Sequence, residues 1–156
     1  MSHLYFAYGS NLDLGKLHRW APSARFATTG RVVDRRLAFT RKSTRWGARA
    51  ADVLPAPGHH VWGALFHVEE RDLRGLDACE GAPRNYRRVD VEVDTGDRTR
   101  PALTYEVVDR HLPEAPPSPD YLATILRGAD AVGLHAGWID SITSHVRRLG
   151  ANPVVS

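Results

Sequence analysis

Few side chains in this sequence are placed to do chemistry. His59 and His60 look like a metal pair, but neighbouring side chains in a loop seldom converge on one ion. No Cys, His and carboxylate set has zinc-like spacing, so no metal is expected. Cys79 would serve as a nucleophile only with a lowered pKa. It falls near the end of a predicted helix, where the dipole works against a thiolate, and so reads as a packed thiol. There is no phosphate-binding loop, dinucleotide fingerprint or serine-hydrolase elbow. What remains is Leu76-Asp77-Ala78-Cys79-Glu80-Gly81. A glutamate before a helix-stopping glycine is ordinarily a solvated end residue. Yet a helix C-terminus disfavours a carboxylate, which makes Glu80 a better proton acceptor and suits it to general-base work. Asp77, one turn earlier, reads as solvated or capping.

A second candidate is Leu4-Tyr5-Phe6-Ala7-Tyr8-Gly9-Ser10-Asn11-Leu12. Its apolar and aromatic start predicts a buried strand, and Gly-Ser-Asn predicts a tight turn. Gly9 is free to take a positive φ and leaves room for another group to approach the backbone. Apolar residues at 14, 17 and 20 give a short helical face N-capped by Asn11 or Asp13. Strand, turn and helix start together aim backbone N–H groups at one point, where a carboxylate or developing oxyanion can sit. Alone, such a turn is most simply structural.

These residues need elements to hold them. Residues 31–40 look like a strand with a polar interruption. Residues 41–60, with Pro55, Pro57 and Gly58, predict a long loop with a short strand at 50–54. Its cations Arg41, Lys42 and Arg45 either border a site or form a solvated face. Residues 61–68 predict a strand in which Gly63 marks a bulge or a close backbone approach. A helix over 69–80 turns Leu73, Leu76 and either Ala78 or Cys79 inward, and Gly81 and Pro83 stop it. Val89, Val91 and Val93 alternate with charged residues in a half-buried strand. A turn at 95–97 and a return strand over 102–108 follow. Ser118-Pro119 starts a helix through Ala129, with Ser118 as cap, and a last helix carries Trp138, Ile139, Ile142, Val146 and Leu149. The result is an α+β chain, forming one domain over 1–156, whose mostly antiparallel strands can close into a small barrel with flanking α-helices.

Composition narrows the class. With 156 residues, 42% hydrophobic and 25% charged, the chain can build a real core. No segment reaches membrane-span length, and the N-terminal residues lack the pattern of a secretory signal. The single cysteine leaves no internal disulfide, so a cytoplasmic location is expected. The net charge of +3 comes almost wholly from arginine, since the only lysines are Lys16 and Lys42. The arginines are interspersed with acidic residues and form no basic run with aromatics between, so no nucleic-acid partner is expected. An anionic small molecule fits the surplus equally well.

Three motifs in order carry a resemblance: Tyr5-Phe6-Ala7-Tyr8-Gly9-Ser10-Asn11-Leu12, Leu-Asp-x-x-Glu-Gly at 76–81, and Ala115-Pro116-Pro117-Ser118-Pro119-x-Tyr121. Together they resemble the γ-glutamylcyclotransferases, the AIG2-like fold, over nearly the whole chain. The resemblance implies a small mixed β-barrel with flanking helices. It implies that Tyr5, Phe6, Ala7, Tyr8, Gly9 and Ser10 line a γ-glutamyl site, that Glu80 accepts a proton, and that Tyr121 contacts substrate. It implies an enzyme without cofactor that turns a γ-glutamyl amide into 5-oxoproline and a free amine, as a monomer or homodimer. The 82–86 loop, Ala-Pro-Arg-Asn-Tyr, is short against the family pattern and neighbours Glu80. The leaving amine stays open: an amino acid, an alkylamine or a larger carrier. The alternatives are a catalytically silent member that binds acidic ligands or a protein, and a basic nucleic-acid binder.

Overall fold

Strand β1 (Ser2–Ala7) is the hub of a closed five-stranded barrel ordered β1-β3-β2-β4-β5. The computed structural model describes residues 1–151. The other strands are β2 (Arg25–Ser43), β3 (Ala48–Glu69), β4 (Tyr86–Asp94) and β5 (Thr99–Val107). All neighbours pair antiparallel except β1 and β5, which close the barrel in parallel through Tyr5 and Leu103. Helices α1 (Leu14–His18), α2 (Leu73–Glu80), α3 (Pro119–Ala131) and α4 (Ala136–Ala151) flank it, giving the mixed barrel with flanking helices that the sequence predicts. Among the described residues no helix is long and apolar enough to cross a membrane.

The reading of 41–60 as a long loop is wrong. β2 and β3, of 19 and 22 residues, form one long bent hairpin that turns at 44–47. Breaker residues misled because they serve bends inside the ladder. Its register shifts between Val33 and Arg35, where Asp34 takes φ 61° and its carboxylate accepts the Gly58 N–H at 3.0 Å. Bulges of this kind let a strand carry residues that would end a flat one. Asp34 is also the polar interruption seen in the sequence.

Side chains along β1 alternate between two cores. Tyr5 and Ala7 join Leu12, Leu17, Phe66 and Leu76, whereas Phe6 and Tyr8 join Phe39, Val53, Leu65 and Ile125. Two glycines set how the helices dock. A Cβ at Gly75 of α2 would run into the Trp20 carbonyl, and one at Gly128 of α3 would run into the Leu12–Asp13 backbone. Both helices therefore rest directly on the segment from Leu12 to Trp20. That segment is a 3-10 turn, Ser10–Leu12, followed by α1, and Asp13 rather than Asn11 is its cap, accepting the Gly15 N–H at 3.1 Å. The helix predicted over 69–80 opens with a 3-10 turn, Glu70–Asp72, and becomes α-helical only at Leu73. Asp72 does not cap it; its carboxylate accepts the Ser23 N–H at 2.8 Å instead. Gly81 ends α2 in the left-handed conformation, and Ser118 caps α3 through the Tyr121 N–H, both as the sequence predicts.

Candidate functional site

The chain contains five tyrosines, and all five line one inner chamber with Gly9, Ser10, Asn11, Ala51 and Glu80. Tyr5 comes from β1, Tyr8 follows it, and Tyr86 opens β4. Tyr105 comes from β5 and Tyr121 from the first turn of α3. The chamber thus lies where both cores, the glycine turn and the ends of α2 and α3 meet. Ser10, Glu80, Tyr86 and Tyr121 also line an outer vestibule of about 230 Å³, with Lys16, Arg41, Arg45 and Trp46 around its mouth.

Hydrogen bonds divide the tyrosines into two kinds. Tyr8 donates to the Tyr105 carbonyl at 2.6 Å, Tyr86 to the Ala51 carbonyl at 2.7 Å, and Tyr105 to Asp77 Oδ1 at 2.6 Å. Those three protons are committed. Tyr121 accepts the Ala51 N–H at 3.0 Å and Tyr5 accepts from Asn11 Nδ2 at 3.0 Å, so both keep their own proton for a ligand. Burial pushes Tyr5, Tyr8, Tyr86 and Tyr121 above the ordinary tyrosine range, so they act as neutral donors.

Asn11 is the hub. Lys16 Nζ, which can only donate, sits 2.6 Å from Asn11 Oδ1 and so fixes the amide orientation. The Asn11 NH₂ group then faces Tyr5 and, at 3.0 Å, Glu80 Oε1. Glu80 is raised to about 7, with burial the largest cause, against the opposing pull of Lys16 and Arg45. The direction is the one expected from the helix terminus, but the cause is burial. Near neutral pH this carboxyl can both take and return a proton.

Of the sequence candidates, Tyr5, Tyr8, Gly9, Ser10, Tyr121 and Glu80 are brought together in the chamber. Phe6 and Ala7 are not among its lining. Phe6 packs against Gly63, and the Ala7 carbonyl lies over the same glycine, which is why a side chain is missing there. Gly9 has φ −121°, not a positive value. It is a glycine for space, since a Cβ would lie 3.3 Å from Ala51 Cβ and 3.5 Å from the Tyr121 hydroxyl. Asp77 is neither solvated nor a cap: Arg88 grips it at 2.8 and 2.7 Å, and it anchors Tyr105. Cys79 is half-buried and burial raises its thiol pKa, so it is a packed thiol beside the vestibule. Arg41 and Arg45 border the site, while Lys42 is exposed and outside it. His59 and His60 are exposed, and among the described residues no three His, Cys, Asp or Glu side chains converge as a metal ion requires.

Sequence reasoning missed Asn11, Lys16, Tyr86 and Tyr105 as members of the site. The available signal was the tyrosine set itself, since each of the five stands within two residues of a strand or helix end.

A family model described as AIG2-like matches residues 60–142. The γ-glutamylcyclotransferase of Mus musculus is 33% identical over 136 residues, covering 84% of this chain and 72% of the relative. That of Homo sapiens is 34% identical over 138 residues, covering 85% and 73%. A solved structure described as a γ-glutamyl cyclotransferase superposes with a TM-score of 0.87 at 31% identity, over 92% of this chain and 88% of the other.

Proposed function

The chain belongs to the AIG2-like γ-glutamylcyclotransferase family, and on that footing we propose that it cyclises γ-glutamyl amides to 5-oxoproline and a free amine, with Glu80 as general acid and base. The observation that carries this reading is the placement of Glu80: Asn11 holds its carboxyl at 3.0 Å inside a chamber of neutral donors, where loss of solvent raises it to about 7.

The reaction needs little from the protein beyond placement and one proton carrier. The substrate's own α-amino nitrogen is the nucleophile and its γ-carbonyl carbon the target, so the chamber's first task is to fold the glutamyl chain into a near-attack shape. The α-amino group has a pKa near roughly 8 and reaches the enzyme mostly as ammonium. Ionised Glu80 takes one proton from it. The freed nitrogen attacks, a new C–N bond forms, and the carbonyl oxygen becomes an oxyanion. Tyr5 and Tyr121, whose protons are uncommitted, are the donors available to that oxygen. Collapse breaks the original C–N bond as protonated Glu80 returns its proton to the departing amine, and the ring nitrogen gives up its second extra proton, which ends on the freed amine as its ammonium form. Atoms balance without water or an external nucleophile. The basic rim of Lys16, Arg41 and Arg45 suits a substrate that carries carboxylates, and a lone cysteine suits a reducing cytoplasm.

The test is 5-oxoproline release from γ-glutamyl-alanine by wild type and Glu80→Gln, with circular dichroism to establish the fold. Turnover by the variant within a few-fold of wild type would remove Glu80 from the reaction.

A further inference from the structure

Beyond the vestibule the surface continues into a groove of about 750 Å³. Lys16, Arg45 and Trp46 line both, so the two form one path leading away from Glu80. On its far side stand Arg19 and Trp20 at the end of α1, and Thr124 and Arg127 on α3. We infer that this groove is a subsite on the leaving-amine side for a chain longer than one amino acid that ends in an anion, that is, for a γ-glutamyl peptide with a free C-terminal carboxylate. The inference rests on the cyclotransferase reading, because that reading puts the departing amine at the vestibule.

Size, charge and shape all point this way. On that reading the chamber and vestibule take the glutamyl group and the first residue after it. The groove adds a volume within the range of about 300–1,000 Å³ that accepts whole small ligands. Its cations are Lys16, Arg19, Arg45 and Arg127, against the single carboxylate of Asp13. Asp13 is itself neutralised by Arg127 at 2.6 Å. Among the described residues no carboxylate lies within ion-pair distance of Arg19 or Arg45. With Asp13 and Arg127 paired to each other, the groove presents the positive charge of Lys16, Arg19 and Arg45 with no further carboxylate in its lining. A leaving group that carries a second amine would meet like charge along the whole path. Two indole rings supply the flat surfaces that a peptide unit needs. The Arg45 guanidinium lies 5.6 Å from the Trp20 ring centre, tying the hairpin tip to α1. Trp46 packs 5.0 Å from Tyr121, so the wall of the groove is also the wall of the chamber. An occupant of the groove thus touches the element that holds a proposed oxyanion donor.

The experiment compares four substrates: γ-glutamyl-alanine, γ-glutamyl-alanyl-glycine, the C-terminal amide of that peptide, and the γ-glutamyl amide of 1,4-diaminobutane. Each is assayed for kcat/KM by 5-oxoproline release. Each is also titrated against the Glu80→Gln protein by tryptophan fluorescence, to which Trp20 and Trp46 report without turnover. The free acid should exceed its amide by roughly tenfold, the worth of one charge-assisted contact. The diamine derivative should be poorest. Half-molar salt should shrink the acid-over-amide ratio, and Arg19→Gln or Arg127→Gln should bring it towards one. Equal binding and turnover of acid and amide, or a ratio that neither arginine variant changes, overturns the subsite. Release of 5-oxoproline from none of the four overturns the cyclotransferase reading instead. In that case the fluorescence titration alone still upholds or overturns the groove's preference for the anionic peptide.

Discussion

Glu80 and Glu114 face each other across the logic of this molecule. Both carboxyls are largely withdrawn from solvent. Glu114 lies in the connection before α3, where Arg36 Nη1 at 2.8 Å, the Phe39 N–H at 3.0 Å and His145 Nε2 at 2.9 Å surround it. Burial would raise its pKa, but these partners together win and hold it down at about 2. Glu80 has one amide N–H at hydrogen-bond distance, with its cations farther off, and burial wins, raising it to about 7. The lesson is that burial alone does not decide a carboxyl's state. The number of donors does, and the fold saturates Glu114 while starving Glu80. One is a clamp joining β2, α4 and the proline-rich connection; the other is left able to exchange a proton.

The largest effect should come from Glu80→Gln, with kcat lowered by about 10²–10⁴ or more, since one group both accepts and returns the proton. The same change should stabilise the fold at alkaline pH. Between about pH 4.5 and 7 the unfolded chain has lost this proton while the folded chain keeps it, so the native state loses stability as pH rises through that window. Above it the full penalty, on the order of 3 kcal/mol, is present, and glutamine removes it. Denaturant melts of both proteins at pH 5 and pH 8 check this: the variant should gain only at pH 8. In wild type, kcat/KM should rise with pH through about 7, and a profile flat across that range would break the comparison.

Tyr121→Phe should come next, costing about 10²-fold in kcat if its free proton meets the oxyanion. It should also cost about 1–3 kcal/mol, because the Ala51 N–H then loses its buried acceptor. Unchanged kinetics with a lower Tm would make it a packing residue only.

Glu114→Gln should leave turnover per folded molecule unchanged and lower stability by up to roughly 3 kcal/mol at pH 7. Here the sign is opposite. The clamp is fully present above about pH 4.5 and fades as pH falls towards 2, so the difference between variant and wild type should vanish in acid melts. Gly9→Val is a steric probe of the chamber rather than of charge. Its branched methyl groups would press on Ala51 and the Tyr121 hydroxyl, so turnover should fall in a protein that still folds. Asp77→Asn should do least, with activity within a few-fold and about 1 kcal/mol lost from the partly exposed Arg88 pair.

Half of the site is legible in the sequence. Elimination and the glycine after it single out Glu80, whereas Tyr121 enters only through the resemblance, as the last residue of the motif that starts at Ala115. The glycine turn is visible in the sequence but its geometry is not: close packing against Ala51, rather than a positive φ, is the reason for glycine at position 9. Asn11 offered itself as a helix cap because local sequence cannot see Glu80, which is 69 residues away. Tyr86 and Tyr105 are ordinary strand residues until the barrel closes and brings both to the same wall. The long hairpin was lost to its own prolines and glycines, whose local preference is the same in a loop and at a bulge.

The barrel's closing seam carries one last consequence. β1 and β5 meet through a single registered pair, Tyr5 with Leu103, and parallel pairing is the weaker kind. Tyr5 and Tyr105, one from each side of that seam, both face the chamber. A bound molecule that touches both acts as a rung the ladder lacks. Amide hydrogens along β1 and β5 should therefore exchange with deuterium sooner than those of the β2–β3 hairpin in the empty protein, and slow selectively when the chamber is filled.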